Sequence, residues 1–397
     1  MNIVIVSQAL PYLPSRGGFR LYGGNLIRQF SQRHSVDLIS FLEEGDQEHL
    51  DWPKQYCSSV RTIPIQHHGV ASRACNVASS FVLGKQMHGR RSLNELLREG
   101  LQKRRWDVLH VEGGAAGGTI DTVLPIPKIL SLHDSWTLRV EEMLKCSQSV
   151  SEKLYYRFLK LYEPRYERLI YPRFEAVTVV AGPDLEAVRE VVPKANVVLI
   201  PYGTDTQYFH PVPVKKEKDT FVFHSHLGYP PNIEAALLFA NEIFPLILRK
   251  VPGAKFHLVG ANPGPKILEL GSRPSIRISA NLPDLRPAVC SGTVYVCAIR
   301  YGTGLKSKML EAMAMQMPIV AWHPGSTVGI ECANGKHLLA ATNPQEFAAH
   351  AVDLLQHPEK ADALARAARD LVCQKYSWES KALAYEYLYQ KTIQSRV

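Results

Sequence analysis

A glycine loop followed by two lysines is the segment whose residue types and spacing best suit chemistry. An apolar run predicts a buried strand ending near Ala298, and Gly302-Thr303-Gly304 separates it from a helix predicted to begin near Leu305. The first turn of a helix has free backbone N–H groups and the positive end of the helix dipole. A strand, a glycine loop and a helix in this order therefore predict a phosphate-binding site.

Charged side chains near the start of this helix indicate which anion the loop would bind. Lys306 and Lys308 fall in its first predicted turn, where a lysine is unfavourable for the dipole unless an anion offsets it. Glu311 follows at helical spacing. A glycine turn before a plain surface helix is the alternative, but two lysines placed against the dipole favour a diphosphate. If these lysines were structural, Arg20 would be the next candidate for a phosphate ligand.

Residues that directly follow other predicted strands are further candidates. Gly17 and Gly18, after the first strand, would let the backbone approach phosphates closely, or would form an ordinary turn. Gly260 ends a strand and would abut a base. His133 follows a strand, a position that suits a catalytic residue, although a histidine that only terminates a strand is as common. Asn232, after two prolines, is predicted to cap a helix.

Short apolar runs that alternate with helix-length segments predict the elements that position these residues. The predicted strands of the first half are Ile3–Val6, Val36–Phe41, Val108–Val111, Ile129–Leu132, Val177–Val180 and Val197–Ile200. Those of the second half are Phe221–His224, Lys255–Val259, Ile276–Ser279, Val294–Ala298 and Ile319–Trp322. Strands that alternate with helices indicate βαβ units and parallel sheets.

A change of composition between the halves predicts the domain boundary. The stretch from Pro201 to Asp219 combines glycine, proline and a charge run, which is typical of a linker. We expect a first lobe at residues 1–205, rejoined by the last helix at 378–397, and a second lobe at 206–377. The predicted fold is α/β, with two Rossmann-like doubly wound lobes facing each other across a cleft. Ligands of such sheets bind at the carboxyl ends of the strands.

Composition disfavours several other classes of protein. Against 37 Asp and Glu the chain carries 46 Lys and Arg, a net charge of +9, which indicates phosphorylated molecules or an anionic membrane surface as partners. Basic residues interleaved with aromatics are absent, which argues against nucleic acid. Seven cysteines without a CxxC pair argue against disulfides and structural zinc and favour a reducing compartment. No stretch approaches the roughly 18 uninterrupted apolar residues of a membrane span, and the N-terminus is typical of a buried strand rather than a signal peptide.

The loop and its surroundings resemble a known family. Residues 302–320, GTGLKSKMLEAMAMQMPIV, resemble the nucleotide-binding segment of glycosyltransferase family 4, whose members have the GT-B fold of two Rossmann-like lobes. The resemblance continues in FHSHLGYPPNIEAALLFANEIFP and KFHLVGANP of the second half, and in SRGGFR, SLHDSW and PYGTDTQYFHP of the first. It covers nearly the whole chain and is specific for fold and reaction class, and much less so for substrate.

The resemblance implies roles for individual residues. Glu311 matches the second glutamate of the family's Glu–seven residues–Glu motif, which bonds the ribose of the donor, whereas Thr303 stands at the first. The chain instead resembles a branch in which a Gly-x-Gly-x-Lys-x-Lys loop holds the donor. The implied donor-binding residues are Gly17, Gly18, Gly260, Gly302, Thr303, Gly304, Leu305 and Glu311. The implied catalytic residues are His133, which contacts the donor sugar in the resembling enzymes, Lys306 and Lys308.

The function expected from this resemblance is retaining transfer of a hexose from a nucleotide diphosphate-sugar, UDP- or GDP-linked, to an acceptor glycan, lipid or small molecule. No cofactor is expected, and no metal, because the chain has no Asp-x-Asp. We expect the enzyme in the cytoplasm, with peripheral association at the inner face of the membrane and no nucleic-acid partner. The alternatives are a nucleotide-sugar epimerase of the same fold and a catalytically degenerate nucleotide-sugar-binding protein.

Overall fold

Two units of structure divide the chain. The computed structural model describes residues 1–15, 18–65, 89–103, 106–121, 124–147, 149–301 and 305–395. The N-terminal unit is Met1–Pro201 with Lys381–Val397, and the C-terminal unit is Tyr202–Ser380. The chain thus leaves the first unit at Pro201, where residue 205 was expected, and returns at Lys381, where residue 378 was expected.

The sheet of the N-terminal unit has strands that are all parallel. They are β1 Asn2–Ser7, β2 Ser35–Leu42, β3 Ser59–Pro64, β4 Val108–Glu112, β5 Lys128–Ser131, β6 Ala176–Val179 and β7 Val197–Leu199. Their order across the sheet is β3-β2-β1-β4-β5-β6-β7. The order reverses between β1 and β4, and a reversal of this kind opens a crevice at the carboxyl ends of the two strands.

Helices connect these strands. In the described part of the unit they are α1 Gly18–Phe30, α2 Asp51–Lys54, α3 Arg90–Lys103, α4 Gly114–Gly117, α5 Trp136–Cys146, α6 Val150–Ile170 and α7 Gly182–Val191. Short 3₁₀ turns occupy Asp46–His49 and Tyr171–Arg173. The core lies between the sheet and these helices, and strands β1 and β4 are buried almost throughout, as expected for a parallel sheet covered on both faces.

The sheet of the C-terminal unit repeats this plan. Its parallel strands are β8 Thr220–His226, β9 Lys255–Ala261, β10 Ile276–Ala280, β11 Val294–Cys297, β12 Ile319–Trp322 and β13 Leu339–Ala341. They lie in the order β10-β9-β8-β11-β12-β13, so the reversal falls between β8 and β11. The prediction of two Rossmann-like α/β units with parallel sheets is confirmed.

The helices of the C-terminal unit pack on both faces of this sheet. They are α8 Pro230–Leu238, α9 Phe244–Leu248, α10 Pro265–Leu270, α11 Arg286–Cys290, α12 Ser307–Ala314, α13 Pro344–Gln356 and α14 Pro358–Lys375. One turn of π-helix, Phe239–Ile243, joins α8 to α9. The last helix, α15 Trp378–Gln394, carries the chain back into the N-terminal unit.

One helical segment, Pro230–Leu248, has the length and apolar composition of a membrane-spanning helix. Half of its most apolar stretch is buried inside the protein. Phe239, Ile243 and Phe244 in its middle are buried in the core of the C-terminal unit. Because these side chains already pack against protein, we interpret the segment as a core helix.

Candidate active site

A carboxylate and a histidine meet at the point where the strand order of the C-terminal unit reverses. Glu311 lies on α12, which follows β11, and His224 lies near the carboxyl end of the neighbouring strand β8. His224 Nε2 is 2.7 Å from Glu311 Oε2. The imidazole is almost fully buried, while the carboxylate remains 20% exposed. The carboxylate of Glu311 is thus held by His224 and remains accessible to solvent, at the edge of the sheet where ligands bind.

The pairing also determines the tautomer of His224. An ionised carboxylate only accepts hydrogen bonds, so Nε2 of His224 donates and Nδ1 is the acceptor in the neutral ring. That Nδ1 atom is buried and has no hydrogen-bond partner within the described ranges, and the same holds for the hydroxyl oxygen of the adjacent Ser225. Buried polar atoms of this kind are uncommon in folded proteins. Beside Glu311, the end of β8 therefore has polar atoms that can still form hydrogen bonds.

The two lysines lie at the carboxyl end of β11, although the helix begins later than expected. It starts at Ser307 instead of near Leu305, because Lys306 has extended backbone angles of φ −90° and ψ 97° and serves as the N-cap. Burial lowers the pKa of Lys306, and the positive charge of Lys308 lowers it further. Both ammonium groups also act on Cys297, the last residue of β11, opposing the rise in thiol pKa that burial causes. A pair of cations therefore concentrates at this strand end.

The neighbours of these lysines differ in how far the structure describes them. Leu305 is half-buried and packs against the core of the C-terminal unit, so its side chain has a packing role. Gly302, Thr303 and Gly304 lie outside the described residues. Their roles as donor-binding residues stay predictions.

Gly260 is required by a close approach between strands. Its φ is +154°, and a Cβ at this position would lie 1.7 Å from the carbonyl oxygen of Ser225 on β8. Only glycine fits here, which gives Gly260 a structural reason besides the predicted contact with a base. The prediction for Asn232 is wrong, because α8 begins at Pro230 and Tyr229 is its N-cap. Asn232 instead donates from Nδ2 to the carbonyl of His226 at 2.9 Å, which shapes the same loop.

A second cluster lies at the strand ends of the N-terminal unit. His133 follows β5 and is buried, with Nε2 3.0 Å from Oε1 of Glu112, the last residue of β4. Two aromatic rings of α1 contact its imidazole: Phe19 at 3.8 Å and Tyr22 at 4.7 Å between ring centroids. His133 is therefore held on several sides, and its orientation is set by a carboxylate that the sequence analysis did not select.

Glu112 is ionised despite being fully buried. Burial alone would raise the pKa of Glu112, but its interactions with His110 and His133 outweigh this, so the pKa lies below its usual value. The two histidines differ in how closely they contact Glu112. His110 Nε2 is 3.7 Å from Glu112 Oε2, while His133 Nε2 is within hydrogen-bonding distance of Oε1.

Two tyrosines of the last helix form hydrogen bonds with residues of this cluster and its neighbours. Tyr389 on α15 has its hydroxyl 2.6 Å from Nδ1 of His110. The hydroxyl of Tyr385 is 2.9 Å from that of Tyr22 and also contacts Ser131 and Thr178. The sequence contains one signal for this arrangement, the spacing of Tyr385 and Tyr389 four residues apart on a helix, but nothing in it names their partners.

The remaining candidates of the N-terminal unit lie near the start of α1. Gly18 is the first residue of that helix, and Gly17 lies outside the described residues. Arg20, the alternative phosphate ligand, forms ion pairs with Glu43 and Asp46. Because two carboxylates already neutralise this guanidinium, it is a poorer phosphate ligand than the lysine pair of the C-terminal unit.

Comparisons with known proteins agree with this architecture. The profile of the family described as Glycosyltransferase Family 4 matches residues 16–208, and that described as Glycosyl transferases group 1 matches residues 218–357. The two matches fall on the two units of the structure. One curated relative, an uncharacterized 44.6 kDa protein in the cps region of Klebsiella pneumoniae, is 23% identical over 367 residues, covering 89% of this chain and 90% of its own.

Solved structures of low sequence identity share the fold over the whole chain. Sucrose-phosphate synthase from Thermosynechococcus elongatus superposes with a TM-score of 0.65 at 16% identity, covering 99% of both chains. Anabaena HepE in complex with UDP gives 0.65 at 14% identity, with 98% of this chain and 100% of that one covered. A glycosyltransferase from Rickettsia africae gives 0.60 at 15% identity, with 98% of each chain covered. With a family profile matched to each unit and a GT-B fold, the chain is a glycosyltransferase with a Glycosyltransferase Family 4 domain and a Glycosyl transferases group 1 domain.

Proposed function

We propose that this glycosyltransferase moves a hexosyl group from a nucleoside diphosphate-sugar to its acceptor with retention of the anomeric configuration. The observation that carries the proposal is the carboxylate of Glu311, oriented by His224 at the reversal point of the C-terminal sheet. The reaction would proceed in the cytoplasm with no cofactor and no metal. Retention follows from the resemblance to family 4.

The ribose of the donor is the proposed ligand of Glu311. Its Oε2 atom accepts from His224, and Oε1 has no hydrogen-bond partner among the residues the structure describes. A vicinal pair of hydroxyl groups would donate to this partly exposed carboxylate, and each hydrogen bond to a charged acceptor is worth about 1.5–3 kcal/mol. Since His224 holds the carboxylate in place beforehand, little side-chain entropy would be lost on binding.

The diphosphate is the proposed ligand of Lys306 and Lys308. Transfer of the sugar breaks the bond between the anomeric carbon and the diphosphate oxygen, so negative charge grows on the departing group. Two fixed ammonium groups beside the start of a helix stabilise such charge most strongly in the transition state. This arrangement would take the place of a divalent cation, and also of the carboxylate that Thr303 replaces.

The identity of the nucleotide is the next part of the proposal. HepE of Anabaena, with a TM-score of 0.58 to this chain, has been solved with UDP-glucose. We therefore propose a UDP-sugar as the donor, and a GDP-sugar as the alternative. His133 is the proposed contact of the N-terminal unit to the transferring sugar, with Glu112 orienting its ring.

Calorimetric titration of UDP, GDP and ADP tests the nucleotide site. Glu311→Gln should bind the preferred nucleotide about tenfold or more weakly, because a hydrogen bond to a charged acceptor is lost, and its unfolding temperature should change little. Glu269→Gln, an exposed glutamate on α10 of the same unit, is the matched control and should bind like the native protein. Unchanged affinity of Glu311→Gln for all three nucleotides would remove the ribose role.

Donor turnover tests the reaction. With UDP-glucose and a panel of acceptors, we expect UDP release that requires an acceptor for full rate and survives EDTA. Proton NMR of the first product should show the anomeric configuration of the donor. Interconversion of the sugar without acceptor would indicate an epimerase, and binding without turnover of any donor a degenerate binding protein. Loss of activity in EDTA that magnesium or manganese restores would contradict the role assigned to the lysines.

A further inference from the structure

A stripe of large apolar side chains is exposed along the first half of α6. Val150, Leu154, Phe158 and Leu161 are 75%, 60%, 45% and 74% exposed. Steps of four, four and three residues place them on one face of the helix. Tyr155, beside them, is 58% exposed. We call Val150, Leu154, Phe158 and Leu161 the exposed stripe.

The exposed stripe is not the face that holds α6 to the protein. The second half of the helix packs into the core through Tyr162, Tyr166 and Ile170. At 100° per residue Tyr166 and Ile170 point away from the exposed stripe. Tyr162 borders it and stacks on Phe158 with 6.2 Å between ring centroids. Single exposed apolar residues are ordinary on a protein surface, but a contiguous row of four marks an interaction surface. A row of this length suits a partner other than the core of its own unit.

Positive charges border the stripe. Lys153 and Arg157 are exposed and lie next to it on the helical wheel. No carboxylate within the described ranges forms an ion pair with either of them, whereas Lys160, farther around the helix, pairs with Glu141 at 2.9 Å. The surface complementary to this helix is consequently apolar in its interior and negatively charged at its boundary.

We propose that the exposed stripe and its flanking cations bind the surface of an anionic lipid bilayer. A bilayer supplies both features, because phosphate headgroups lie above an apolar layer into which leucine and phenylalanine side chains insert. Helices that lie in this interface carry Lys or Arg beside Leu, Phe and other large apolar residues. Tyrosine at the edge of the stripe suits the same depth, since its ring is apolar and its hydroxyl is polar. The net charge of +9 adds attraction at longer range.

Vesicle cosedimentation with the full-length protein tests the apolar part of the proposal. The protein should bind vesicles of phosphatidylcholine and phosphatidylglycerol and bind vesicles of phosphatidylcholine alone far more weakly. Leu154→Gln/Leu161→Gln should bind the anionic vesicles about tenfold or more weakly, because two side chains no longer insert. The matched control is Leu268→Gln/Leu383→Gln, which changes two exposed leucines outside α6 and should bind like the native protein. Thermal unfolding of each variant shows whether it is folded.

Charge and self-association provide the second test. Arg157→Gln should bind the anionic vesicles about fivefold more weakly, since one basic residue near the surface is lost, and binding should fall as salt is added. Equal binding of the native protein and the stripe variant would overturn the proposal, as would the absence of vesicle binding. Sedimentation velocity that showed a native dimer, made monomeric by the stripe variant, would assign the stripe to a second copy of the chain instead. The readout is independent of sugar transfer, so this proposal can fail while the proposed function stands.

Discussion

A buried, ionised glutamate is the residue on which the histidine of the N-terminal unit depends. Glu112 accepts from His133 at 3.0 Å and has no contact with solvent to compensate for a lost partner. Because the pKa of Glu112 is lowered in the folded protein, its ionised form contributes stability. That contribution is present above the pKa of the unfolded chain, about 4.3 for a glutamate, and is lost as the pH falls through the lower pKa of the folded protein.

The first prediction at this scale concerns Glu112→Gln. The variant should unfold at a lower temperature at pH 7, by the equivalent of about 2 kcal/mol, because a hydrogen bond to a charged carboxylate is lost. The difference from the native protein should shrink as the pH is lowered below about 4, which thermal unfolding across a pH series measures. Glu48→Gln, an exposed glutamate of the same unit, is the control. A difference that stays constant from pH 7 to pH 3 would mean that the charge of Glu112 is not what stabilises the fold.

At the scale of elements, the start of α12 carries positive side chains where the helix dipole is also positive. Lys306 is the N-cap and Lys308 is the second helical residue, so both cations stand at the positive end of the helix dipole. Burial lowers the pKa of Lys306, so the charged form of this side chain destabilises the fold at neutral pH. This cost disappears as the pH rises towards the pKa of a lysine in the unfolded chain. A bound diphosphate would make the two lysine charges at the start of α12 stabilising, because each would then lie beside a negative group.

The second prediction follows for Lys306→Ala. Without ligand, the variant should unfold at the same temperature as the native protein or slightly higher, since an unfavourable interaction of about 0.3–1 kcal/mol is removed. Its stabilisation by UDP and its turnover should both fall. Lys308→Ala and the double variant belong in the same thermal-shift series, because either side chain can be the larger contributor. Variants that unfold at a much lower temperature and still turn over the donor normally would show that the lysines are structural.

At the scale of the whole molecule, the end of the chain completes a unit that the first 201 residues begin. Helix α15 returns to the N-terminal unit, and the hydroxyl of Tyr385 is hydrogen-bonded to Tyr22, Ser131 and Thr178. Ser131 ends β5, two residues before His133. The last helix therefore supports the strand that presents the candidate catalytic histidine.

The third prediction is that Tyr385→Phe loosens the N-terminal unit alone. Removing one hydroxyl leaves buried polar partners unsatisfied, at a cost of about 1–3 kcal/mol. Amide hydrogen exchange should quicken in β5 and β6 and stay unchanged in β11 and β12. Tyr387→Phe on the same helix is the matched control, because Tyr387 is 70% exposed. Equal protection of β5 in the two variants would contradict the role given to α15.

The alternation of apolar runs and helical segments determined most of the fold from the sequence alone. Central strands such as β1 and β8 were predicted because a parallel strand buried on both faces is a continuous apolar run. The two strands that the sequence analysis missed, β3 and β13, each form one of the two edges of their sheet. β3 is only half-buried over most of its length and β13 spans three residues, so neither has a long apolar run to recognise.

For the candidate site, the sequence identified the positions, and only the tertiary structure decided the partners. Lys306, Lys308 and Glu311 were predicted because residue type, helical spacing and family resemblance are properties of one continuous segment. The pairing of Glu311 with a histidine 87 residues away, and of His133 with Glu112 across two neighbouring strands, has no local signal. Such contacts exist because parallel strands bring their carboxyl ends to one edge of a sheet, and the strand order that selects the neighbours is settled only when the whole sheet forms.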